Sequence, residues 1–278
     1  MSTRPGVLDR IERYFALSPL PDSPVSRIGA LDVPLGAPEW PHPARPHPGG
    51  GPVPLADVEA ALAAQEAADL PQALEWFAER NPGLGQAARQ AGLVVDELPL
   101  LVAVDTLEVM LPPGVRYFLI GADDPQLATY QRLAQLAFAA PTGPLAPDEP
   151  VTTSTGVAPE RLVDPPQPTS VLRERIAAGR TVMMVAVEDG EPVAVGSHQP
   201  VDVDGAEVSE IVGVATLPRF RGRGLGAGLA STLVEHARET AELVFLSAGD
   251  DDVARVYERV GFARVGTTYV AERPVEGC

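Results

Sequence analysis

Glycine recurs at every second position in one short segment, Gly222, Gly224, Gly226 and Gly228, and no other feature limits the fold of this chain so tightly. The segment follows a β-branched run, Ile211–Thr216, that stops at Pro218. It opens a helical pattern in which Leu225, Leu229, Leu233 and Ala237 share one face, with Thr232, Glu235 and Arg238 outward. Strand, glycine turn and amphipathic helix in that order mark an α/β unit. Glycine lets backbone N–H groups come close to a ligand. The free amides and the positive dipole end of a helix N-terminus favour an anion. Arg219, Arg221 and Arg223 interleave with the glycines and reverse the local sign in a chain of net charge −17. The arginines separate a pyrophosphate cradle from glycines that merely serve a turn.

Gly222-x-Gly224-x-x-Ala227 also fits the dinucleotide fingerprint. That fold places its first glycine directly after the strand and needs further βαβ units, whereas here Pro218–Arg221 intervene and only about fifty residues follow. Asp250 comes after the next strand, where the ribose-binding acid of such a fold would stand. A nucleotide-cofactor oxidoreductase is therefore an alternative. A P-loop is excluded, because no Lys follows the glycines; all 21 basic residues are Arg.

Periodicity and turn residues give the remaining elements. Short helices are predicted over residues 5–16, 55–69 and Pro71–Glu79, and another follows Asn81 and ends at Gly92. Pro19–Pro54 is irregular, with one short strand within Val25–Val33, and Leu93–Asp105 reads as a strand. These form a smaller α+β domain over residues 1–112. The second domain, 113–278, begins with strand Val115–Ile120 and a helix from Asp123-Asp124-Pro125 to Ala139. A Pro/Thr/Ser/Gly-rich stretch, 140–168, precedes helix Val171–Ala178. Two strands, Thr181–Val187 and Pro192–Ser197, flank the hairpin pair Asp189-Gly190. Strand Val208–Leu217, helix 224–240, strand 242–247, helix 250–260 and strand 263–271 complete a mixed α/β sheet.

Val214-Ala-Thr-Leu-Pro218-x-x-Arg221-Gly-Arg-Gly-Leu-Gly226 resembles motif A of the GNAT N-acetyltransferase superfamily, Q/R-x-x-G-x-G/A. Asp250-Asp-Asp-Val-Ala-Arg-Val-Tyr257-Glu-Arg-Val-Gly261-Phe262 resembles its motif B, N-x-x-A-x-x-L-Y-x-x-x-G-F. The spacing between the two also fits, and the resemblance covers residues 113–272. The chain departs from the pattern at Asp250, where the family often has Asn, and at Val253 and Val256, which replace Ala and Leu. The resemblance implies a GNAT-type acyltransferase fold in the second domain. The first domain is either a degenerate copy of the same fold, covering the acceptor side or building an interface, or an unrelated helical cap. Acetyl-CoA, or another acyl-CoA, is the implied donor. Backbone groups of Val214, Ala215 and Thr216 would pair with the pantetheine arm. The amides of Arg221, Gly222, Arg223, Gly224, Leu225, Gly226 and Ala227 would hold the pyrophosphate, with Asp250 beside the cofactor. Tyr257 would protonate the leaving thiolate.

Acyl transfer to an amine needs a neutral nucleophile and a proton for the departing sulfur. Tyr257 supplies the acid; Glu210, at the start of the donor strand, is the candidate base, with Glu207 and His198 as competitors. An acidic surface, pI near 4.6, disfavours nucleic acid and anionic membranes. The single cysteine, Cys278, rules out an internal disulfide, and no metal-ligand spacing occurs. No signal-peptide core or membrane span is visible, so the expectation is a cytoplasmic, metal-free N-acetyltransferase. Its partners would be a small-molecule or peptide amine and, in a homodimer, a second copy. A non-catalytic acyl-CoA-binding module is the other alternative.

Overall fold

The computed structural model describes residues 6–104, 112–140 and 168–274. In chain order the elements are α1 (Val7–Leu17), β1 (Val25–Ile28), β2 (Leu31–Pro34), β3 (Arg45–Pro46), α2 (Leu55–Ala67), β4 (Ala73–Phe77), α3 (Leu84–Gln90) and β5 (Val94–Ala103). Then come β6 (Val115–Ile120), α4 (Leu127–Ala139), α5 (Thr169–Ala177), β7 (Val182–Glu188), β8 (Glu191–Val203) and β9 (Ala206–Thr216). The last are α6 (Leu225–Ala237), β10 (Ala241–Ser247), α7 (Asp251–Glu258) and β11 (Phe262–Glu272). Eight strands form one mixed sheet in the order β4-β11-β5-β10-β9-β8-β7-β6, and β1-β2-β3 make a small second sheet.

The period-2 alternation of the strands sorts their side chains onto two layers. Leu101 and Ala103 of β5 face α6 with Ile211, Leu225, Leu229 and Leu233. Their neighbours Leu100 and Val102 face α1 with Ile11, Tyr14, Phe15 and Phe245. Val185 and Met183 likewise turn toward α4 and α5, while Met184 and Ala186 turn toward α6. Thus α6 covers one face, and α1, α4 and α5 cover the other.

The sheet draws on both sides of residue 112. β5 stands antiparallel between β10 and β11, and β4 extends the sheet beyond β11. Pro71–Glu79, expected as a helix, is instead strand β4. Its Leu74 and Trp76 face α2 and α3 while Phe77 faces α1, a period-2 split that pairing with β11 selects over the local helical tendency. The single strand expected within Val25–Val33 is a hairpin, because Gly29 takes a left-handed turn at φ +56° and returns the chain from Ile28 to Leu31. The Pro-rich stretch lies mostly outside the described residues, as does Cys278. No described helix is long and apolar enough to cross a membrane.

Candidate active site

β9 and β10 run parallel and part in mid-course. Their register goes from Ala241↔Glu207 to Phe245↔Glu210. Beyond that point β10 continues against β5 to Ser247, and β9 continues against β8 to Thr216. A bulge at Gly213, φ +64°, helps turn β9 away. Val214, Ala215 and Thr216 therefore present one edge of their backbone to an open wedge, and Glu210 stands at its apex.

After Thr216 the chain makes one 3₁₀ turn, Pro218–Phe220, and enters the glycine loop. Gly222 and Gly224 have φ of +73° and +81°, and an added Cβ at either would meet nothing within 4 Å. These two glycines serve the backbone conformation, and the space above them is open. Gly224 caps α6 with no side-chain bond, and the first helical bond runs from Gly228 N–H to the Gly224 carbonyl at 2.9 Å. The amides of Leu225, Gly226 and Ala227 precede that ladder and face the opening. The Tyr117 hydroxyl fixes the same turn by donating to the Leu225 carbonyl at 3.2 Å.

The loop, the end of β9 and α7 enclose a groove of about 590 Å³. Val214, Ala215, Thr216, Arg221, Gly222, Gly224, Leu225, Gly226, Ala227 and Tyr257 all line it. The Tyr257 ring packs on Phe262 at 5.6 Å between centroids, and burial pushes its hydroxyl up to about 12, so the phenol is protonated at neutral pH.

Five candidate residues are not among those lining the groove, and Glu210, at the apex of the wedge, is one of them. The Arg223 guanidinium pairs with Glu188, at 2.9 Å for Nη1, and that carboxylate holds it further into its charged form. Asp250 caps α7, accepting the Val253 N–H at 2.7 Å. Glu207 accepts from the Thr240 hydroxyl at the far end of β9. His198 lies under α6, 2% exposed, with Nδ1 2.8 Å from Ser209 Oγ and Nε2 2.9 Å from His236 Nδ1. Arg221 does line the groove, but its Nε donates to the Thr216 carbonyl at 3.2 Å and its Nη2 to the Ala137 carbonyl at 2.5 Å. It ties β9 and the end of α4 together behind the loop.

Glu210 faces the layer of α1. Burial pushes its carboxyl up to about 8, the Glu75 carboxylate adds to the shift, and Arg45 and the Tyr14 hydroxyl oppose it. Sequence reasoning missed both this surrounding set and the far wall of the groove, where Ala137, Phe138 and Ala140 stand at the end of α4. Phe138 is 64% exposed, an apolar ring at the rim. An outward Phe in an amphipathic helix was the available signal.

The buried His198 carries a stability prediction. Burial first and then His236 pull it down to about 4 from an ordinary 6.5. The native imidazole stays neutral between those values while the unfolded one takes a proton. The contribution of His198 to stability is therefore flat above pH 6.5 and falls between 6.5 and 4, by as much as about 3 kcal/mol. The difference between wild type and His198→Asn in urea denaturation, compared at pH 7.5 and pH 5, isolates this contribution from that of other titrating groups.

A glycine loop at a helix N-terminus, opening onto a splayed parallel strand pair, is an arrangement that favours an anion, and it defines the class as an α/β protein with one amide-lined groove. Known proteins narrow this class. The acetyltransferase (GNAT) family model matches residues 154–262. The mycothiol acetyltransferase of Cellulomonas flavigena is 30% identical over 239 residues, 78% of this chain, and the chain spans 62% of that relative's length. A GCN5-related N-acetyltransferase from Kribbella flavida superposes with a TM-score of 0.67 at 25% identity, over 98% of this chain and 97% of that one. A GNAT-family structure from Novosphingobium aromaticivorans shares the fold, with a TM-score of 0.57, 17% identity, and 96% and 97% of the two chains covered. The chain belongs to the GNAT superfamily.

Proposed function

We propose that the protein is an N-acetyltransferase that moves the acetyl group of acetyl-CoA to a primary amine of a small molecule or peptide. The observation that carries this reading is the convergence of wedge, glycine loop and Tyr257 on one groove. The open edge of Val214–Thr216 pairs with the pantetheine arm, and the amides at the start of α6 hold the pyrophosphate. The thioester then lies toward the apex at Glu210. Glu210 takes a proton from the ammonium, directly or through water, and the neutral nitrogen attacks the carbonyl carbon. The C–S bond breaks as the C–N bond forms, Tyr257 donates its proton to the departing sulfur, and the surplus proton on the acylated nitrogen returns through water to the phenolate. Residues 1–112 cover the acceptor side.

Thiol release from acetyl-CoA, measured over a panel of amines that includes the acceptor of mycothiol acetyltransferases, tests the reaction. Acetyl-CoA that binds tightly but turns over with no amine sinks it in favour of a non-catalytic module. Tighter binding of NAD(H) than of CoA would favour an oxidoreductase.

The loop carries its own prediction. Gly224→Ala forces a side chain into a left-handed conformation at a cost of about 1–2 kcal/mol, which the loop relieves by moving its amides. The expected result is a KM for acetyl-CoA raised about 10-fold, the equivalent of ~1.4 kcal/mol. Gly205→Ala is the control: it has φ +86° and equally open space, and it lies in the β8–β9 turn, at the opposite end of β9 from the loop. It leaves KM unchanged.

A further inference from the structure

Two carboxylates face each other across the end of the β7–β8 hairpin. Glu188 and Glu191 are direct cross-strand partners on either side of the Asp189-Gly190 turn. Like charges placed opposite each other on an antiparallel pair repel, so this pairing is unfavourable on its own. Each carboxylate takes an arginine from the glycine loop. Glu188 receives both terminal nitrogens of Arg223, one carboxylate oxygen to each, with Nη1 at 2.9 Å. Glu191 receives Arg219. Both guanidinium groups lie over the Phe220 ring, at 4.8 Å for Arg219 and 5.7 Å for Arg223. Phe220 in turn packs against the core under α6 and lines the groove.

The two arms are unequal. Glu191 is 51% exposed, and solvent weakens its pair. Glu188 is 15% exposed and bidentate, the stronger geometry. Arg223 also stands at the tip of the loop, between Gly222 and Gly224, which both have left-handed φ. Glycine has the most conformational freedom to lose, so a tip built on two glycines is hard to hold by backbone alone. The backbone bonds nearest the tip stand on either side of it. One runs from Arg221 N–H to the Pro218 carbonyl at 3.2 Å, the other from Gly228 N–H to the Gly224 carbonyl at 2.9 Å. The hairpin carboxylate grips the residue between them.

We propose that Glu188 is a positioning residue, which clamps the tip of the glycine loop through Arg223 so that the amides at the start of α6 stand in place before an anion arrives. The charge of Arg223 is then engaged by the clamp and not by the ligand. A loop ordered in advance loses less freedom on binding, which strengthens binding without any new contact. The inference rests on the transfer reading above for acetyl-CoA as the ligand of the loop.

Glu188→Gln separates the clamp from a direct contact between Arg223 and phosphate. The substitution releases Arg223. Were its charge meant for the ligand, release would lower the KM for acetyl-CoA. The clamp requires the KM to rise, by about 5-fold or more, with kcat at saturating acetyl-CoA and the thermal midpoint nearly unchanged. Arg223→Gln gives a similar rise, and the double variant no more than either, because both break one interaction. The loop itself is read without ligand. Amide nitrogen relaxation of Gly222 and Gly224 gives order parameters near ~0.85 in the wild type, falling toward ~0.6 in Glu188→Gln. Gly205, in the β8–β9 turn, keeps its value in both proteins. Unchanged order parameters at Gly222 and Gly224, a KM that stays level or falls, or additive losses in the double variant overturn the clamp. A wild-type protein that neither binds nor turns over acetyl-CoA sinks the transfer reading instead, and the order parameters still decide the clamp.

Discussion

If Tyr257 is the proposed acid, Tyr257→Phe is expected to lower the turnover number for acetyl transfer by about 100-fold or more, with the KM for acetyl-CoA and the thermal midpoint nearly unchanged. The separation of the three quantities follows from where the ring sits. Its contact with Phe262 and its packing beside Val253 and Val260 survive in the variant, so the groove keeps its shape. Losing the hydroxyl breaks no hydrogen bond to another described residue. What disappears is a donor on the groove wall. A phenol pushed up to about 12 by burial keeps its proton beside a thiolate whose ordinary pKa is ~8.5, so its bond to sulfur strengthens as negative charge grows there. The same dry groove raises the proton affinity of the sulfur, which narrows the gap and lets the proton follow the departing charge. Steady-state kinetics with saturating amine, plus a thermal melt, decide the matter. An unchanged turnover number would leave Tyr257 as a packing residue beside Phe262.

The glycine-loop groove of this molecule was legible because its geometry is local. A strand end, alternate glycines and a helix start sit within one short run, and the second motif adds Tyr257 and Gly261-Phe262 at fixed spacing. Such short-range geometry is encoded by neighbours in sequence, and nine of the ten candidate residues from the first motif and its flanks line one groove. The tenth, Arg223, shows the limit: its charge fitted the cradle, but a hairpin strand brings Glu188 to it, and sequence separation hides that pairing. β4 was misread for a related reason. Its Trp76 and Phe77 look like neighbours on a helix until β11 arrives from the far end of the chain and places them on opposite faces. The surroundings of Glu210 are the extreme case. Tyr14, Arg45, Glu75 and Glu210 lie in four separate elements, α1, β3, β4 and β9, and no spacing rule links them. Only the interleaving of β4 and β5 with β10 and β11 brings the first part of the chain onto the sheet that carries Glu210.

Glu210→Gln is expected to cut kcat/KM by about 100-fold or more near neutral pH and at the same time to make the protein more stable above pH 7. The two effects have one origin. Burial beside Tyr14, with the Glu75 carboxylate near, pushes Glu210 up to about 8, and Arg45 only partly opposes the shift. The native carboxyl therefore holds a proton between pH 4.5 and about 8, a window in which the unfolded chain has already lost it. Stability is highest below that window and falls as pH rises through it, because folding must bury an increasingly reluctant charge. Glutamine keeps the shape and hydrogen-bonding capacity without the charge, so the fall is removed. Activity runs the other way: a base must be deprotonated to accept the ammonium proton, so wild-type kcat/KM rises toward pH 8, and Glu210→Gln erases that limb, leaving only the ionisation of the amine itself. Urea denaturation at pH 6 and pH 8.5, paired with a pH–rate profile, reads both. A variant that loses activity and stability together would make Glu210 a structural carboxylate. Loss of rate with gain of stability is the signature of a residue kept at a cost to folding for the proton it moves.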